Sequence, residues 1–174
     1  MKPVFNLESK YRVTMLTKNE WTRVPGTPRR VKGLVWFADG SRTAEGTASG
    51  VYRQFVNGRF RISLGKPATV FQAGVYAILD CVQEIENQDQ PEKYVSICYD
   101  SQGALKALQA VKRTSPLVQH CQQTLKDISA RNVVGLYWVP WHAGLTGNKI
   151  ANKLARNGSA LLSSSLDLSF LGGF

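Results

Sequence analysis

Between Val31 and Leu64 the apolar residues fall into three short runs rich in strand formers, "GLVWFADGS", "GTASGVYRQF" and "NGRFRISL"; beyond Ala68 their spacing lengthens to that of a helix. Strand side chains alternate between two faces, whereas helical faces repeat every three to four residues, so this change of period fixes the kind of layer each stretch can join. The Asn57-Gly58 pair is a hairpin signal, and the three runs are expected to form an antiparallel meander. Next, "ATVFQAGVYAILDCVQEIE" sets Phe71, Gly74, Ile78, Cys81 and Ile85 at helical spacing behind a capping Thr69. A buried strand "YVSICYD" precedes two helices, one capped by Ser101 and one with Pro116 in its first turn. "VVGLYWVPW" reads as the last strand and "GLTGNKIANKLARNGSA" as the last helix. This order predicts an α/β domain: a five-stranded mixed sheet, three antiparallel strands followed by parallel additions, with helices on both faces.

The 174 residues suit one compact domain. Residues 1–30, polar and broken by Pro25 and Pro28, read as an extended arm whose Val13, Met15, Leu16 and Trp21 can pack on the domain; residues 31–160 form the domain, and the serine-rich residues 161–174 form a tail. Cys81, Cys98 and Cys121 lie in apolar stretches without CxxC spacing and read as buried free thiols of a reducing compartment. No apolar run approaches the ~20 residues of a membrane span, and the first residues lack a signal-peptide core, so the expected location is intracellular, nuclear or cytoplasmic, with no membrane partner. Lys and Arg outnumber Asp and Glu by 22 to 12, a net charge of +10. That excess favours a polyanionic partner, nucleic acid above all, over an ordinary basic surface.

Asp39 and Asp100 each follow an apolar strand run and open a turn. In open α/β sheets chemistry gathers at such strand ends, and two carboxylates converging there can hold a divalent cation, although a single Asp at a strand end is usually a turn former or a cap. In the last helix Lys149, Asn152, Lys153 and Arg156 share one side. One expectation is that a lysine ammonium there replaces a cation between the aspartates; the alternative is that both lysines face solvent.

The segments "FADGSRTAEGTASGVY", "VFQAGVYAIL", "YDSQGALKAL" and "VPWHAGLTGNKIANKLAR" resemble, in order and spacing, the four motifs of type 1 ribonuclease H domains. The similarity runs from about Val31 to Ala160 and is greatest to the RNase H domain of insect-type non-LTR retrotransposon polyproteins. The resemblance implies the RNase H-like fold, cleavage of the RNA strand of an RNA/DNA hybrid, and two Mg²⁺ ions held by Asp, Glu, Asp and Asp. Asp39 and Asp100 match the first and third acids, while Gly74 stands for the Glu and Asn152 for the last Asp. Gly74 offers no ligand atom and costs about 1 kcal/mol in a helix interior; Asn152 keeps an amide oxygen without charge. Glu45 lies in the loop after Asp39, and Asp80 and Glu84, six and ten residues beyond Gly74, are badly spaced to compensate. His142 matches a histidine that assists proton transfer or product release in relatives, and Trp141 stands where the family usually has Gly.

The expected site is therefore a remnant: Asp39, Asp100 and His142 as former catalytic residues, Asp39 and Asp100 as weak or unoccupied metal ligands, and Ser41, Arg42, Gln72, Lys149, Lys153 and Arg156 as nucleic-acid contacts. No cofactor is expected unless residual activity uses Mg²⁺ or Mn²⁺. The favoured function is binding to RNA/DNA hybrid or RNA without cleavage. The alternatives are a weak or Mn²⁺-dependent ribonuclease and a captured retrotransposon domain with a protein partner.

Overall fold

The computed structural model describes residues 11–22, 28, 30–54, 58–87, 94–112, 115–140 and 143–159. The chain runs β1 (Tyr11–Met15), α1 (Lys18–Thr22), β2 (Leu34–Thr43), β3 (Gly46–Arg53), β4 (Gly58–Gly65), α2 (Val70–Glu86), β5 (Tyr94–Tyr99), α3 (Gln102–Gln109), α4 (Pro116–Ile128), β6 (Val133–Trp138) and α5 (Thr146–Ser159). One mixed sheet of order β1-β6-β5-β2-β3-β4 results, with β2, β3 and β4 antiparallel and β2, β5, β6 and β1 mutually parallel. The class expected from the sequence holds, but the sheet has six strands and not five. The sixth comes from the segment read as an arm, where Tyr11–Met15 pair with Val134–Trp138. Val13 packs on the core, Leu16 and Trp21 are buried behind the strand, and the Tyr11 hydroxyl donates to the Leu108 carbonyl at 2.5 Å.

Alternation along β2 builds both layers. Trp36 and Ala38 enter the larger core with α2, α3 and α4, while Val35 and Phe37 face a second cluster containing Ala151 of α5. The caps expected at Thr69 and Ser101 form, Thr69 closing a reciprocal capping box with Gln72 on α2 and Ser101 accepting from Ala104 N; Pro116 opens α4, where Ser115, not foreseen as a cap, accepts from Val118 N. Cys81, Cys98 and Cys121 are buried free thiols. The β3–β4 hairpin pairs Arg53 with Gly58, whereas Asn57 lies outside the described residues. Among the described residues no helix is long and apolar enough to cross a membrane.

Candidate functional site

Asp39 is interior to β2 rather than at its end. The Asp-Gly turn signal is overridden because residues 40–43 pair with β3, from Gly40 opposite Ser49 to Thr43 opposite Gly46, and the chain turns only at Ala44 and Glu45. The parallel partner is what ends here. Its last pair is Ala38 with Tyr99, so Asp39 and Asp100 occupy the next step of two neighbouring strands. Asp100 is fixed by its surroundings: its carbonyl accepts from Trp138 Nε1 at 2.8 Å, and the Tyr99 carbonyl accepts from Val139 N at 2.9 Å.

Two helices close on Asp39 because glycines let them. A Cβ at Gly40 would lie 2.5 Å from Gly74 N, so α2 rests on the β2 backbone; a Cβ at Gly50, opposite Asp39, would lie 2.5 Å from Ala155 N, so α5 rests on β3. This contact brings the next residue after Ala151 to the aspartate. Asn152 Nδ2 donates to Asp39 Oδ2 at 2.7 Å, and Gly40 N donates to Oδ1 at 2.8 Å. Asp39 is only 3% exposed. Burial, reinforced by the nearby Asp100 carboxylate, pushes its pKa up to about 7, against the two hydrogen bonds and the more distant Arg156 guanidinium. Asp100 is raised by burial too, partly offset by its backbone hydrogen bond and the Asn148 amide.

Gly74 is explained by its neighbour across the layer. A Cβ there would lie 2.5 Å from Tyr99 Cζ and closer still to the Tyr99 hydroxyl oxygen. Tyr99 is 1% exposed, so its rigid ring has nowhere to retreat. Phenol and missing side chain thus fill one volume. Burial, then the Asp39 and Asp100 carboxylates, hold that phenol in its neutral form.

Asp39, Asp100, Gly74 and Asn152 are therefore brought together. Among the described residues no three Asp, Glu, His or Cys side chains gather as a metal-binding set. Asp80, raised to about 6 by burial and by repulsion from Glu84, is not among the charges that act on Asp39. His142 and Trp141 lie outside the described residues. Lys149, Lys153 and Arg156 are exposed, as is Arg42, while Ser41 and Gln72 are half-buried. The lysine substitution for a cation is corrected by this geometry: the charges acting on Asp39 are those of Asp100 and Arg156, and the group touching it from α5 is Asn152. Of that helical side only Asn152 turns inward enough to reach the carboxylate. Sequence reasoning missed Tyr99, whose bulk directly before Asp100 was the available signal.

A mixed sheet whose parallel half meets its antiparallel half at Asp39 and Asp100, between α2 and α5, defines an RNase H-like domain. The RNase H family model matches residues 31–160, and the chain belongs to that family. Among solved structures, RNase H1 from the halophilic archaeon Halobacterium salinarum NRC-1 is similar in fold, with a TM-score of 0.55 and 18% identity over 72% of this chain and 96% of that one. Among curated protein sequences no relative matches.

Proposed function

We propose that this domain binds nucleic acid, an RNA/DNA hybrid or RNA, through an RNase H fold that no longer performs two-metal hydrolysis. The observation that carries the reading is the occupied volume at Gly74: the Tyr99 phenol stands where the second acid would begin. Two-metal chemistry places ions ~3.5–4 Å apart and needs several convergent negative charges. Among the described residues Asp39 and Asp100 are the acids brought together here, and Asn152 offers Asp39 an N–H rather than a free carboxylate. The residues present do not fit the Mg²⁺ pair of the family. Net charge +10 and the exposed basic side of α5 support retained binding.

Two results are expected. Millimolar Mg²⁺ leaves the melting temperature unchanged, because a ligand stabilises only through the native site it occupies; a clear rise that Asp100→Asn abolishes overturns the reading. Affinity for a hybrid duplex falls steeply with salt and depends little on base sequence, as counterion release from phosphate contacts requires. Absence of binding at low salt instead favours the captured domain with a protein partner, and Mn²⁺-dependent cleavage favours the weak ribonuclease.

A further inference from the structure

On the α5 face of the sheet, α5 packs over β2, β3 and β4 and leaves the starts of β1, β5 and β6 to an open cleft. Its volume is about 550 Å³, within the range of small-ligand pockets. Arg12, Arg30 and Lys32 line it together with Tyr94 and Tyr137, and no Asp or Glu does so among the described residues. The cleft is built rather than incidental. Lys32 is anchored by Ser96, whose hydroxyl donates to its carbonyl at 2.8 Å and accepts from its N–H at 3.1 Å. The Tyr137 hydroxyl donates to the Arg30 carbonyl at 2.9 Å, and the Tyr137 ring lies across Gly135, where a Cβ would sit 2.6 Å from it. The Lys32 ammonium stands 5.7 Å from the centre of the Tyr94 ring, which is 37% exposed. Arg30 also meets Glu20 at 3.4 Å, an exposed pair of the kind that contributes little and yields readily to a stronger anion.

We propose that this cleft is a second nucleic-acid contact, taking the phosphates of an unpaired strand on Arg12, Arg30 and Lys32 and one of its bases against Tyr94. Cations that track a backbone beside an aromatic face on which bases stack are the pattern of single-strand binding. An open cleft of about 550 Å³ admits a few unpaired nucleotides, whereas the phosphate rails of a duplex spread over a broader surface. Tyr94 lies six residues before Asp100 along β5, which puts the cleft ~20 Å from the remnant site at about 3.3 Å per residue. The inference rests on the reading that the domain binds nucleic acid, but not on where a hybrid docks.

The test compares labelled single-stranded RNA and a labelled RNA/DNA hybrid by fluorescence anisotropy at low salt. The full chain is set beside three variants: Arg12→Glu with Lys32→Glu, Tyr94→Ala, and Lys149→Glu with Lys153→Glu. The first and last change the net charge equally, so a general loss of attraction affects both alike. Tyr94→Ala is expected to weaken single-strand binding about 5-fold or more, with Tyr94→Phe close to the parent, as stacking requires. The Arg12/Lys32 variant is expected to weaken it further while its hybrid affinity stays near that of the Lys149/Lys153 variant or above. Unchanged single-strand affinity in both cleft variants overturns the proposal and leaves the binding reading standing; no binding of either probe by the parent overturns both. Displacement of the strand by polyglutamate as effective as by unlabelled RNA assigns the cleft to acidic peptide and also overturns it.

Discussion

Gly74→Ala is expected to destabilise the domain by about 1–3 kcal/mol, the cost of forcing an extra carbon into a filled core. Helix propensity alone predicts the opposite sign, a gain of about 1 kcal/mol. The packing dominates because the added Cβ meets the Tyr99 ring and hydroxyl, and that ring is buried on every side. Gly74→Glu is expected to cost more, on the order of 3–5 kcal/mol, since it also buries an unpaired carboxylate beside two others. The decisive form is a double-mutant cycle with Tyr99→Thr, read by chemical denaturation. Tyr99→Thr alone opens a cavity and destabilises; in that background Gly74→Ala changes sign and stabilises. A stabilising Gly74→Ala in the Tyr99 parent contradicts the shared volume. Introducing only Gly74→Glu and Asn152→Asp then leaves Tyr99 in the way, so on the reading proposed above a metal site requires Tyr99→Thr as well.

The second large effect is a pH dependence centred on Asp39. Its folded pKa of about 7 lies above the ~3.9 of an unfolded aspartate, so the native state holds the proton more tightly. The resulting stability is fully present below about pH 4 and is lost as the pH rises toward and through 7. Asp39→Asn carries no charge at any pH and escapes that loss. Its stability relative to the parent is expected to improve by roughly 2 kcal/mol between pH 5 and pH 8. Denaturant midpoints at the two pH values measure this difference, from which all other carboxylates cancel. A gap that stays constant shows that Asp39 remains ionised throughout, held by Asn152 and Gly40.

Much of the fold was legible because it is written in local periods and caps. Thr69, Ser101 and Pro116 announce their helices, and the three alternating runs announce the meander. β1 was not, although Tyr11, Val13 and Met15 alternate: five residues behind the polar Glu8, Ser9 and Lys10 carry no sign of a partner more than a hundred residues later. Asp39 was placed at a strand end for a similar reason. Asp-Gly is a turn signal locally, and only pairing with β3 reveals that the strand continues.

At the site the sequence pointed to Gly74 and Asn152 beside Asp39 and Asp100 but not to what surrounds them. Gly74 looked like a double loss, of ligand and of helix stability, until Tyr99 from an adjacent layer accounted for the absent side chain. Complementary volumes between residues twenty-five apart leave no periodic trace. The lysines show the converse limit. Offsets of three and four put Lys149, Asn152, Lys153 and Arg156 on one side of α5, yet the contact to Asp39 falls to Asn152 while the lysines stay exposed.

Binding and cleavage separate when an RNA/DNA hybrid with a labelled RNA strand is incubated with the chain in millimolar Mg²⁺ at low salt and followed at once for complex formation and for RNA integrity. The expected result is a salt-sensitive complex whose RNA strand stays intact. Shortened RNA products that appear with the parent chain and vanish with Asp39→Asn would contradict it.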